Sequence, residues 1–83
     1  MIQASDVQKI LNRIPHGSTL TVRQLQNLVE KHVILTAEDW APYTDTRTTR
    51  YPHWKNVLQK ELFHYKERDK VLHQKPLQKY LFL

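Results

Sequence analysis

Apolar residues return at helical spacing in three separate stretches of this chain. Val7, Ile10, Leu11 and Ile14 form the first, and Val22, Leu25, Leu28 and Val29 the second. The third and longest sets Trp54, Val57, Leu58, Leu62 and Tyr65 on one side, with Lys55, Asn56, Gln59, Lys60, Phe63 and Glu67 around the other. Each recurrence near 3.6 residues predicts an amphipathic helix with one buried stripe. Between the first two stretches, Ser18-Thr-Leu-Thr21 is short and β-branched, which predicts a brief strand. After the third, Lys70–Gln74 and Gln78–Leu83 have strand length, and Pro76 marks the turn between them.

Local signals sharpen these boundaries. Ser5 is placed to cap the first helix, with Asp6 in its first turn, where a negative charge faces unpaired N–H groups. Pro15-His-Gly17 stops that run. Thr21 caps the second helix, and Gln24 stands where it completes a capping box. Val33-Ile-Leu35 leads out to Thr36-Ala-Glu-Asp39, a second cap-like tetrad able to begin another turn or helix. Residues 40–51 show no period and read as a connecting loop, long for so small a domain. Pro52 suits the first turn of the third helix, residues 52–68, where a missing N–H costs nothing. The order helix, strand, helix, helix, strand, strand predicts an α+β fold of three helices with a small three-stranded antiparallel sheet, in one domain spanning 1–83.

Composition changes this picture mainly through charge. Residues 1–46 hold four basic and five acidic side chains, whereas residues 47–75 hold eight basic against three acidic. The positive field thus belongs to the C-terminal half, and its natural partner is a polyanion. The bland alternative is a solvated lysine-rich surface, common in small proteins. The chain has no cysteine, hence no disulfide framework and no Cys-based zinc site. It has no apolar run of membrane-spanning length and no basic-then-apolar leader, so a cytoplasmic protein without membrane contact is expected.

The element order, from Ser5 to Leu83, resembles the winged helix-turn-helix family. Within that family, the run Leu35-Thr-Ala-Glu-Asp39, the arginines of the loop, Pro52-His-Trp54 and Val57-Leu58 are similar to the winged-helix modules of bacterial restriction endonucleases, modification-dependent or HNH. The resemblance implies that the first short strand pairs with the terminal hairpin. It also implies that helix 52–68 enters the major groove and that a wing at 74–77 touches the backbone of double-stranded DNA. The chain would then be the recognition part of a larger nuclease, joined to a catalytic domain, or a homodimer. Two departures stand out: Arg68-Asp-Lys70 occupies the place of the usual glycine, and the wing turn Gln74-Lys75-Pro76-Leu77 is short.

The chemistry of the expected DNA-binding face divides by contact type. Lys60, Lys66, Lys70 and Lys75 are point charges suited to phosphate. Arg47 and Arg50 offer a fork for phosphate or guanine. Asn56 and Gln59, three residues apart on one face, are the expected base readers, since an amide pairs twice with adenine. His53 and Lys55 lie at the helix start, where recognition helices reach deepest. Tyr51 is divided between a phosphate contact and folding back on the loop. Trp54 is more often core than a stacking surface, and Trp40 and Tyr43 more often cover a core than line an interface. Phe63 projects into the polar face and suits an interface, the underside of the wing or a thymine methyl.

Nothing in the chain points to catalysis. None of the five histidines stands at the i, i+4 spacing of a zinc helix, and no carboxylate cluster joins them, so no metal and no cofactor is expected. No glycine-rich loop opens a helix. Glu61 falls on the apolar side of its helix, as a buried carboxylate or as the partner of a lysine or arginine. The alternative to DNA binding is a protein-docking or dimerisation module in which Phe63, Trp40 and Tyr43 make the contacts; RNA binding is weaker, for want of an aromatic stacking motif.

Overall fold

The computed structural model describes residues 2–41, 52–74 and 79–83. Its elements are helix α1 (Ala4–Leu11), strand β1 (Thr19–Thr21), helices α2 (Val22–His32), α3 (Ala37–Trp40) and α4 (His53–Glu67), and strands β2 (Val71–Gln74) and β3 (Lys79–Phe82). Among the described residues the fold is therefore α+β with four helices, where the periodicity predicted three. The extra one is the Thr36 tetrad. Asp39 N–H donates to Thr36 Oγ1, and the Asp39 carboxylate accepts the Thr36 N–H in return at 2.9 Å. A four-residue helix is too short to hold by propagation, so this reciprocal cap and the packing around it carry the turn.

The other boundaries follow from comparable local chemistry. Thr21 and Gln24 form the predicted capping box, with both reciprocal bonds present. At α1 the expected cap is displaced: Gln3 is the N-cap and Ser5 lies inside the helix. Asp6 Oδ2 accepts the Gln3 N–H at 2.9 Å, the N3-to-N-cap half of a capping box centred on Gln3 and not on the serine. Pro52 is likewise the N-cap of α4 and not its first helical residue. At the far end of α4, Lys70 N–H donates to the Tyr65 carbonyl and Asp69 N–H to that of Lys66. Asp69 has φ 56°, so an aspartate takes the left-handed position where glycine is usual. The departure at Arg68-Asp-Lys70 is thus accommodated without a glycine.

The sheet is antiparallel in the order β1-β3-β2, which places the last strand between the other two. Val71 pairs with Phe82 and His73 with Tyr80, while Leu20 faces Tyr80 from the other side. This register turns Val71, Tyr80 and Phe82 inward, all buried, and leaves Leu72 outward. The His73 and Tyr80 rings stack 4.5 Å apart, nearly parallel. Gly17, with φ +86°, makes the turn that brings the chain from α1 into β1.

The core joins these layers. Val7, Ile10 and Leu11 of α1, Leu25 and Val29 of α2, and Trp54, Leu58, Leu62 and Tyr65 of α4 are buried against the inner face of the sheet. Val22, Leu28, Ile14 and Val57, assigned to apolar stripes by the sequence pattern, pack at its edge. None of the described helices is long and apolar enough to cross a membrane.

Asp39 is the polar pin of this core. Its side chain is fully buried, and Oδ1 accepts the Ile2 N–H at 2.8 Å while Oδ2 accepts from Thr36. Burial pushes its pKa up, but the hydrogen bonds from the Thr36 and Ile2 backbone and the Thr36 hydroxyl outweigh it, and the net shift is downward from 3.8. A carboxylate with a depressed folded pKa adds stability that is complete above its unfolded pKa and is lost as pH falls through the folded one. Asp39→Asn is therefore expected to cost about 1–3 kcal/mol at neutral pH. Urea unfolding of both proteins between roughly pH 7 and pH 2 should show that gap closing as acid protonates the wild-type carboxylate; a gap of constant size would remove the charge from this account.

Candidate nucleic-acid interface

α4 is the element on which the expected interface depends, and its two sides differ as the periodicity predicted. Trp54, Leu58, Glu61, Leu62 and Tyr65 are buried, and Lys60, Phe63, His64, Lys66 and Glu67 are exposed. The start of the helix is held by α3. The His53 N–H donates to the Ala41 carbonyl at 2.9 Å, and the Trp40 ring meets Trp54 edge-on, with centroids 5.4 Å apart. Trp40 therefore lies over the core at Trp54 while remaining 48% exposed.

The outward flank is less uniform than helical projection suggests. Lys60 and Lys66 are exposed, as is Lys70 just past the helix end. His53, Lys55, Asn56 and Gln59 are half-buried, so the N-terminal half of the expected reading face is only partly open to solvent. Periodicity assigns a residue to a face and carries no information about what packs over that face. The Lys55 ammonium lies 5.6 Å from the centroid of the Trp54 ring, and the Lys70 ammonium 5.4 Å from that of Tyr65. Both lysines thus lay their stems along core aromatics while their charges remain at the boundary. Arg47, Arg50, Tyr51, Tyr43, Lys75 and the turn at Pro76 lie outside the described residues.

The buried polar groups of α4 tie it to α1. Glu61 Oε2 accepts from the Gln8 amide at 3.1 Å, a neutral partner where a lysine or arginine was one expectation. Four residues on, the Tyr65 hydroxyl donates to Asn12 Oδ1 at 2.7 Å. Burial raises the Tyr65 pKa, the nearby Glu61 charge raises it further, and Arg68 opposes both in part. The phenol accordingly stays neutral and available as a donor. Among the described residues, no group of three His, Cys, Asp or Glu stands close enough to hold a metal ion.

Asn56 differs from these. Its Nδ2 is buried and has no hydrogen-bond partner among the described residues, a state it shares on this helix with Trp54 Nε1. A buried amide donor left unpaired is a cost in the free protein, and functional sites are where such costs recur. Sequence reasoning found Asn56 but not its burial. It did not find the apolar groove between α1, α2 and β1, for which the i, i+4 pairs Ile10/Ile14 and Leu28/His32 were the available signal. Compared with known protein families, curated proteins and solved structures, the chain matches none.

Because its amide donor is unsatisfied, Asn56→Ala is expected to leave the urea midpoint unchanged or to raise it. A loss above about 1 kcal/mol would mean that the amide holds the fold together and is not kept for a ligand.

Proposed function

We propose that this chain is a DNA-binding module of the winged-helix type, which lays the outward flank of α4 along a duplex with the β2–β3 hairpin beside it. The observation that carries this reading is the set of exposed lysines at this end of the fold, Lys60 and Lys66 on the 15-residue helix and Lys70 between it and the hairpin. The sheet order β1-β3-β2 supports it, since it seats β1 against the terminal strand as that family's arrangement requires. In this reading Lys60, Lys66 and Lys70 bind phosphates, joined by Arg47, Arg50, Tyr51 and Lys75. Phosphate contact sets affinity and register, while base-edge contact sets sequence preference. Asn56, with Gln59, His53 and Lys55 around it, reads bases, and its unpaired amide donor is the group an adenine edge would satisfy. Because these four are half-buried, phosphate binding dominates and base discrimination is modest. The module would serve a larger protein, a restriction endonuclease of the modification-dependent or HNH kind being the one its motifs resemble, and would not itself be catalytic.

A second reading is favoured by Phe63, 57% exposed on the same outward flank. An aromatic ring open to solvent between two lysines also suits a protein partner or a second copy of this chain.

Binding of a labelled duplex, followed by fluorescence anisotropy across a salt series, separates the two. For DNA binding the logarithm of affinity falls linearly with the logarithm of salt, and Lys60→Ala and Lys66→Ala each reduce that slope by about one unit. Phe63→Ala leaves the slope unchanged. Salt-independent binding, or none down to low ionic strength, refutes the DNA reading; self-association abolished by Phe63→Ala would establish the other.

A further inference from the structure

A groove of about 330 Å³ opens where α1 and α2 end beside β1. Ile10, Ile14, Leu20 and Leu28 give it apolar walls, and Arg13 and His32 also line it. Ile10, Arg13 and His32 line in addition a polar hollow of about 250 Å³, together with Asp6 and Lys9. These three shared residues therefore form a seam between an apolar and a polar compartment.

The seam is electropositive. Lys9 and Arg13 bring fixed charges, and His32 brings ring N–H donors. Asp6, the carboxylate in the polar hollow, already accepts the Gln3 N–H at the start of its own helix. The carbonyls of Ile10 and Leu11 at the end of α1 accept from the Arg13 and Ile14 N–H groups, which blunts the negative end of that helix.

We propose that this groove binds a small amphiphilic carboxylic acid, its hydrocarbon tail among Ile10, Ile14, Leu20 and Leu28 and its carboxylate at the seam on Arg13. The Arg13 guanidinium supplies the planar fork that a carboxylate matches with two parallel hydrogen bonds, and Lys9 and His32 reinforce it. The volume falls at the lower end of the roughly 300–1,000 Å³ typical of small-molecule sites. None of the lining residues belongs to α4, so the site stands or falls independently of DNA binding.

Titration of the full chain with sodium octanoate, n-octanol and octylamine, followed by the methyl NMR shifts of Ile10, Ile14, Leu20 and Leu28, tests it. Octanoate should give saturable shifts at those methyls with a Kd of about 10 mM or tighter. Octanol and octylamine should bind about tenfold more weakly or worse, and Arg13→Gln, an exposed position, should weaken octanoate by a similar factor without moving the urea midpoint. No saturable shift, equal binding of octanol, or octanoate binding indifferent to Arg13→Gln would each overturn the assignment.

Discussion

Burial of one stripe of α4 is the constraint on which the rest of this molecule depends. Trp54, Leu58 and Leu62 are fully buried, and they meet Val7 of α1, Leu25 and Val29 of α2 and Val71 of β2 in one core. Large apolar side chains of this kind each contribute on the order of 1.5–3 kcal/mol by leaving water, so the stripe sets the rotation of α4 about its own axis. Once that rotation is set, Lys60 and Phe63 must face outward, because no helix can bury two opposite sides against one core. The expected interface is thus a by-product of packing: the core decides which side chains are left for a partner.

Polar pins make the arrangement specific. Asp39 holds the chain before α1 against α3, Glu61 and Tyr65 hold α4 to Gln8 on α1 and to Asn12 just past its end, and the Ala41 carbonyl holds the first N–H of α4. Each joins segments far apart in sequence and satisfies a group that would otherwise be buried without a partner. Asn56 Nδ2 and Trp54 Nε1 depart from this pattern, both buried on α4 with no partner among the described residues.

The outer surface then divides by chemistry. Along α4 the exposed groups are Lys60, Lys66, His64 and Phe63 with one acidic residue, Glu67, near the helix end, a surface of mainly cationic character. Between α1 and α2 the surface is concave and apolar with a cationic rim, which suits a compact ligand with one charge. Different residues build the two regions, so one chain of 83 residues presents two surfaces of unlike chemistry.

Elements and their types were legible from the residues alone wherever the signal is local. The stripes Val7/Ile10/Leu11 and Trp54/Leu58/Leu62, the Thr21–Gln24 box and the two terminal strands are written in spacing and capping chemistry that act within a few residues. Even α3, left open between a turn and a helix, had its marker in Thr36 and Asp39, though four residues carry too little periodicity to separate the two. What spacing leaves open is everything that depends on a distant segment: that Asp39 accepts the Ile2 N–H, that Glu61 meets Gln8 and not a lysine, that Asn56 and Gln59 are half-covered. The groove at Arg13 and His32 belongs with these, since its walls come from three elements whose proximity only the closed core creates. Short-range order follows from propensity and patterning along the chain, whereas exposure and cavity shape follow from how the elements are brought together, which no single stretch of residues encodes.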